Sequence, residues 1–180
     1  MTHCVVFTGG PGSGKTSVLE ALQKSGYRTK SEVGRKVIQQ EVAKGSDSVP
    51  WANKQRFASK MLKKEVNALA TLSNEGRTVF FDRSVIDVYG YCQLETLLVS
   101  RELLHQCSTA NYIKTVFMFP PWQAIYQNDE ERKQGFDTAV DTYRAMIKAY
   151  SHFGYQPIEM SLNSVEERMN FVLDRVKRVD

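Results

Sequence analysis

No stretch of this 180-residue chain approaches the ~20 consecutive apolar residues that a membrane-spanning helix needs. The longest apolar runs are Cys4–Phe7, Thr78–Phe81 (with its threonine) and Val116–Phe119, so no membrane span is expected. Met1-Thr2-His3 has none of the basic character that opens a secretory signal, and neither end shows a lipidation box. Cysteine is scarce: Cys4, Cys92 and Cys107 are odd in number, far apart and free of any CxxC spacing, which argues against a disulfide framework and for a reducing, cytoplasmic setting. His3, His105 and His152 stand at no metal-ligand spacing, which argues against a structural zinc site. No run of lysine and arginine exceeds two or three residues. The net charge of +4 therefore leaves no nucleic-acid footprint, though it suits a partner that is a small polyanion such as a nucleotide.

What remains is ordinary globular composition, 42% apolar and 24% charged, enough to bury a core and inconsistent with a mainly disordered chain. No repeat, low-complexity tract or linker breaks the sequence, so one domain over residues 1–180 is expected. Short apolar runs alternate with longer amphipathic stretches, the pattern of a parallel sheet covered by helices. The expected strands are Cys4–Phe7, a weaker and polar Tyr27–Ser31, Thr78–Phe81 ending on Asp82, Ile113–Phe119, and Pro157–Met160. Between them the spacing predicts helices over 15–25, 33–44 and 53–72, helical segments up to Ser108, and a helix with an apolar face through Phe136–Tyr150. Ser164-Val165-Glu166-Glu167 reads as a capping box opening a final helix with the stripe Val165, Met169, Val172, Val176 and Val179.

The most specific motif follows the first strand. Gly9-Gly10-Pro11-Gly12-Ser13-Gly14-Lys15-Thr16 satisfies the phosphate-loop pattern GxxxxGK[ST] in full. Glycines let the backbone curl its N–H groups inward at phosphate oxygens, and the helix that begins there adds the positive end of its dipole. Lys15 is expected to reach the β- and γ-phosphates of a nucleoside triphosphate, and the Thr16 hydroxyl to ligate Mg²⁺. The dinucleotide fingerprint GxGxxG fits no register here, since its third glycine falls on Lys15 or Ser17.

A second acidic element belongs at the end of an apolar strand, and Val79-Phe80-Phe81-Asp82 supplies it, with Asp82 as a further Mg²⁺ ligand. Arg83 stands where a mechanical ATPase usually carries glutamate. Asp87-Val88-Tyr89-Gly90 has the DxxG spacing of a GTPase but lies five residues beyond the strand end, and Asn53-Lys54-Gln55-Arg56 ends in arginine where a guanine-reading motif needs aspartate. An Asp-Arg pair instead suits phosphoryl transfer: the carboxylate orients metal or accepts a proton, and the guanidinium forks onto phosphate. The second strand is expected to deliver Glu32 and Arg35 to the same cleft, Glu32 as general base for an acceptor hydroxyl and Arg35 as a clamp. Trp51 and Gln55, with Phe57, are candidates for stacking on and bonding the acceptor, or simply for core positions. Arg132 and Lys133 are candidates for a basic lid, or for a solvated helix turn. Ser161–Asn163 are candidates for base contact.

Together TGGPGSGKT, SEVGRKVI, FFDRSVIDV, FMFPPW and DEERKQ, spanning residues 4 to about 175, resemble the small bacterial AAA-type ATP-binding P-loop domains. That group is similar to the nicotinamide riboside kinase domain and, more remotely, to deoxynucleoside and thymidylate kinases. The resemblance implies a three-layer α/β fold with a five-stranded parallel sheet in the order 2-3-1-4-5, Mg-ATP or Mg-GTP binding, and a lid. It puts Glu32 at the acceptor-site acid, Arg35 at its basic neighbour and Asp82-Arg83 at the strand-end pair. It also exposes a departure, since nucleoside kinases often carry Glu-Arg-Ser where Asp82-Arg83-Ser84 stands. Two functions are open on these residues. One is a kinase acting on a nucleoside-like or other hydroxyl metabolite, with Lys15, Glu32, Asp82, Arg83 and Arg132 catalytic. The other is an NTPase or nucleotide switch answering to a protein partner. The oligomeric state is open too, a homo-oligomer included.

Overall fold

The computed structural model describes residues 3–125 and 135–177. Five strands, β1 Cys4–Gly9, β2 Arg28–Lys30, β3 Val79–Asp82, β4 Thr115–Phe119 and β5 Gln156–Glu159, form one sheet in the order β2-β3-β1-β4-β5. Every pairing is parallel. The helices are α1 Lys15–Lys24, α2 Val33–Ala43, α3 Lys54–Leu72, α4 Val85–Leu94, α5 Arg101–Thr109, α6 Phe136–His152 and α7 Val165–Val176.

The strands are apolar on both faces because both faces are covered. Alternation along β1 sends Val5 and Phe7 to one side, where Phe80, Phe117 and Phe119 join Val18 and Leu22 of α1 and Val172 and Val176 of α7. Cys4 and Val6 face the other side with Phe81, Val116 and Met118, against residues of α3 to α6. All three cysteines are buried and unpaired there, and burial pushes the Cys4 and Cys92 thiols up to about 11 and Cys107 to about 12. Helix α4 is buried nearly all round, with Val85, Ile86, Asp87, Val88, Gly90 and Cys92 all enclosed. No helix among the described residues is long and apolar enough to cross a membrane.

The predicted elements are present, with shifted ends. β1 continues two residues past Phe7, because Gly9 adopts a φ of 139° and lies so close to β4 that a Cβ there would stand 2.2 Å from the Phe119 carbonyl oxygen. β2 shrinks to three residues. β4 starts at Thr115, although the Ile113 N–H still bonds the Cys4 carbonyl at 3.0 Å. The Ser164 capping box opens α7 as read from sequence, with Glu167 returning to the Ser164 N–H at 3.0 Å. Asp87-Val88-Tyr89-Gly90 lies inside α4 rather than in a loop, and Asn53 is the N-cap of α3, accepting from the Arg56 N–H at 3.0 Å.

Candidate nucleotide site

Helix α1 starts with no side-chain cap. Its N-cap is Gly14, in the left-handed region at φ 81°, so the first N–H groups of the helix face the cleft unblocked. Ser13 Oγ donates to the Gly10 carbonyl at 2.9 Å, and Lys15 Nζ donates to the same carbonyl at 3.0 Å and to Ser13 Oγ at 3.3 Å. The lysine is thus folded back over the loop and buried.

A cavity of about 490 Å³ opens above this loop. Gly12 to Ser17 form its floor, and the sheet order divides its walls. From the β3 and β2 side come Asp82 and Glu32; from the β4 and β5 side come Trp122, Ile125, Asn163, Ser164 and Arg168. The sequence reading brought Lys15, Thr16, Glu32 and Asp82 to one cleft, and the structure places all four on its lining.

Asp82 ends β3 with its carboxylate buried. Burial pushes its pKa up, with Lys15 opposing the shift and Glu32 adding to it. Its Oδ1 has no hydrogen-bond partner among the described residues. A buried, orphaned carboxylate oxygen beside a threonine hydroxyl and a phosphate loop fits a hard divalent cation such as Mg²⁺. Among the described residues no group of three or more His, Cys, Asp or Glu could hold a metal ion.

Arg83 follows in the left-handed region at φ 63°, a conformation that costs a non-glycine residue roughly 1–2 kcal/mol. Its side chain is only 16% exposed, with Nε donating to Glu32 Oε1 at 3.1 Å and a terminal nitrogen donating to Asp87 Oδ1 at 3.2 Å. Burial works against the Arg83 cation, but Glu32, Asp87 and Asp82 around it hold its pKa well above the ordinary arginine value. Asp87 is fixed in turn: it accepts from Thr8 Oγ1, from the Ser84 N–H at 2.9 Å and from the Tyr150 hydroxyl, while Ser84 Oγ lies 2.6 Å from that hydroxyl. The aspartate that has a GTPase spacing in sequence is a buried anchor for Arg83.

Other expected site residues fall elsewhere. Arg35, on the first turn of α2, is exposed and outside the cavity lining, while Arg83 bonds Glu32 from the end of β3. Trp51 is 66% exposed and does not line the cavity. Gln55 also lies off the lining, because its amide is spent on the backbone of Leu98, donating to the carbonyl and accepting from the N–H, both at 3.1 Å. Phe57 is core, packed edge-on against Tyr91. Arg132 and Lys133 lie outside the described residues.

Arg168 has no counterpart in the sequence reading. It is 3% exposed, stacks over Trp122 at 5.3 Å and Phe119 at 5.9 Å, and comes against Gly14, where a Cβ would stand 2.9 Å from its terminal nitrogen. Its Nε finds no partner among the described residues. The signal was present: Arg168 lies three residues after Val165 and four before Val172, on the apolar stripe where a charge is out of place.

A curled loop on a helix N-terminus, a strand-end carboxylate beside it and a 2-3-1-4-5 sheet define a P-loop nucleotide-binding domain with a kinase-like fold. The AAA domain family matches residues 4–168, and the chain belongs to that family. No curated protein matches the chain. Among solved structures it is similar to NadR in complex with NR, at TM-score 0.72 and 16% identity over 98% of this chain. It spans about half of NadR, 51% of that chain. Deoxyadenosine kinase from M. mycoides, with dCMP and dCDP bound, aligns at TM-score 0.63 and 12% identity, covering 97% of this chain and 99% of that one. Thymidylate kinase from Candida albicans aligns at 0.65 and 12%, covering 98% and 92%.

Proposed function

We propose that the protein is a Mg²⁺-dependent phosphotransferase that moves the γ-phosphoryl group of a nucleoside triphosphate, ATP by preference, to a hydroxyl of a nucleoside-like small molecule. The observation that carries this reading is the Glu32–Arg83 pair at 3.1 Å beside Asp82, on the opposite side of the phosphate loop from Trp122 and Arg168. A nucleotide hydrolase uses its metal and neighbouring polar side chains to place a water over the loop. A base–guanidinium pair set beyond the loop is what a second substrate with a hydroxyl and further polar groups requires. The ligands named for the similar structures, NR, dCMP and dCDP, are of the same chemical class.

In this reading the phosphates lie in the loop, with Lys15 turning from Gly10 and Ser13 onto their oxygens and the α1 dipole behind them. Thr16 and Asp82 would hold Mg²⁺, which when bound neutralises phosphate charge. The base lies towards Trp122, Ile125 and Asn163. Arg83 orients the acceptor. Its hydroxyl oxygen forms a bond to the γ-phosphorus, the bond from that phosphorus to the β–γ bridging oxygen breaks, the nucleoside diphosphate leaves, and Glu32 takes the hydroxyl proton. Arg132 and Lys133 remain the lid candidates, closing over the phosphates. Incubation with ATP, Mg²⁺ and a panel of nucleosides and other hydroxyl metabolites, followed by mass spectrometry, should reveal one product heavier by one phosphate. Hydrolysis with no phosphorylated metabolite would favour the switch or NTPase reading.

The aromatic side carries its own prediction. A buried guanidinium with an unpartnered Nε and a tryptophan face is worth about 1–2 kcal/mol to a base or ribose that it contacts. Arg168→Ala should therefore weaken ATP binding about 5- to 30-fold. In a Trp51→Phe background Trp122 is the sole tryptophan, and its emission should change on titration with nucleotide. Unaltered affinity in Arg168→Ala would put the base elsewhere.

A further inference from the structure

The polar second strand has an unassigned residue at its end. The Lys30 ammonium is buried and makes four contacts: both carboxylate oxygens of Glu65 at 2.7 Å, the Asp82 carbonyl at 2.8 Å and the Arg83 carbonyl at 3.1 Å. Lys30 is 7% exposed and Glu65 2%, and neither lines the nucleotide cavity.

This pair is a poor source of stability. Burial pushes the Glu65 carboxyl up to about 7, even with Lys30 pulling the other way. A carboxylate whose folded pKa exceeds its unfolded one favours folding fully below the unfolded value and loses that contribution as pH rises through the folded value. The stability that Glu65 contributes is therefore lost as pH rises from about 4.5 to 7 and stays lost above that, and well-packed apolar residues in place of such a pair are often neutral or stabilising. What the ammonium does hold is backbone. Two consecutive carbonyls converge on one cation at the left-handed Arg83, whose own N–H bonds the Phe7 carbonyl at 2.9 Å. Without a cation between them the two carbonyl dipoles would repel, and the strain at φ 63° would be free to relax.

We propose that Lys30, anchored by Glu65, is a positioning residue: it locks the Asp82-Arg83 turn so that the aspartate stays aimed at the phosphate loop and the guanidinium at Glu32. The inference rests on the proposed phosphotransfer, since it gives that reaction's strand-end pair its orientation. The hydrogen bonds of the lock reach the site through two backbone carbonyls, and the Lys30 charge also pulls through space on the Asp82 carboxylate.

The test is the double variant Lys30→Met/Glu65→Met, read by thermal unfolding, ATP calorimetry and Mg-ATP turnover. Turnover is measured with the accepting metabolite where the panel supplies one, and as basal hydrolysis otherwise. The double variant should melt at or above the wild-type temperature and bind ATP within ~3-fold, because Lys15 and the loop amides are untouched. Its kcat should fall ~10- to 100-fold. Wild-type kcat in the double variant would overturn the proposal. A second variant, Glu65→Gln, keeps the ammonium on both carbonyls and should stay within ~3-fold of wild-type turnover; a collapse equal to that of Asp82→Asn would show the pair acting as core charge rather than through the turn, and would overturn it too. Asp82→Asn also separates the two levels. If it is inactive while the double variant is not, the lock fails and the phosphotransfer reading stands. Full turnover in Asp82→Asn removes that reading and the lock with it.

Discussion

Lys15→Ala should lose at least ~100-fold in affinity for Mg-ATP by calorimetry while its thermal transition stays within a few degrees of wild type. Hydrogen bonds from a charged group contribute about 1.5–3 kcal/mol each, and one ammonium facing two phosphates forfeits two of them. The fold has little stake in the same side chain: Nζ donates to Gly10 and Ser13 within the phosphate loop. Thr16→Ala should behave differently. Its exposed hydroxyl can be removed with little consequence for stability, and the affinity lost should appear in the presence of Mg²⁺ and largely vanish when nucleotide is titrated without it. ATP affinity unchanged in both variants would remove the phosphate-loop assignment and everything built on it.

The fold was legible because its strands are apolar on both faces and its helices on one. Val5 and Phe7 against Cys4 and Val6 is a pattern only a doubly covered sheet produces, and a glycine-rich loop between such a strand and a helix has few other uses. The loop and Asp82 were readable because both sit where a strand ends, a position that composition marks. Less legible was everything that depends on register between strands. Arg35 follows Glu32 by three residues, yet the strand pairing also brings the Arg83 guanidinium onto Glu32, because β2 and β3 pair Lys30 with Phe81 and so carry residues 32 and 83 out side by side. The same pairing delivers Lys30 to the carbonyls beyond Phe81. Glu65 gave a local hint, lying on the buried face of α3 with Phe57, Ala58, Leu62 and Leu72, but nothing in the sequence names its partner 35 residues away. Trp51 and Gln55 were legible as special residues and illegible as to direction: one amide bonding the Leu98 backbone turns Gln55 from the cleft to the surface between α3 and the α4–α5 connection.

Glu32 separates the two functional classes. Glu32→Gln keeps the size of the side chain and an oxygen that can still accept from Arg83, and removes only the ability to take a proton. General-base assistance is typically worth ~10²- to 10⁴-fold, roughly 3 to 5.5 kcal/mol of barrier, so transfer to the true acceptor should fall by that order. ATP binding should survive, since the loop, the α1 terminus and Asp82 lie on other elements of the cavity wall. Basal hydrolysis should change little, because water attacking the γ-phosphorus need not enter the acceptor side. Asp82→Asn must behave otherwise: its buried carboxylate is the oxygen available to a cation beside Thr16, so transfer and hydrolysis should fall together and the Mg²⁺ concentration needed for half-maximal turnover should rise. The comparison can begin before any acceptor is known, with basal hydrolysis measured in the wild type and both variants. Equal loss in Glu32→Gln and Asp82→Asn would assign Glu32 to the metal or to the attacking water, and the protein would then be an NTPase whose Glu32–Arg83 pair serves hydrolysis. Loss confined to Asp82→Asn leaves Glu32 to the acceptor, as a carboxylate set on the far side of the loop from the base should be.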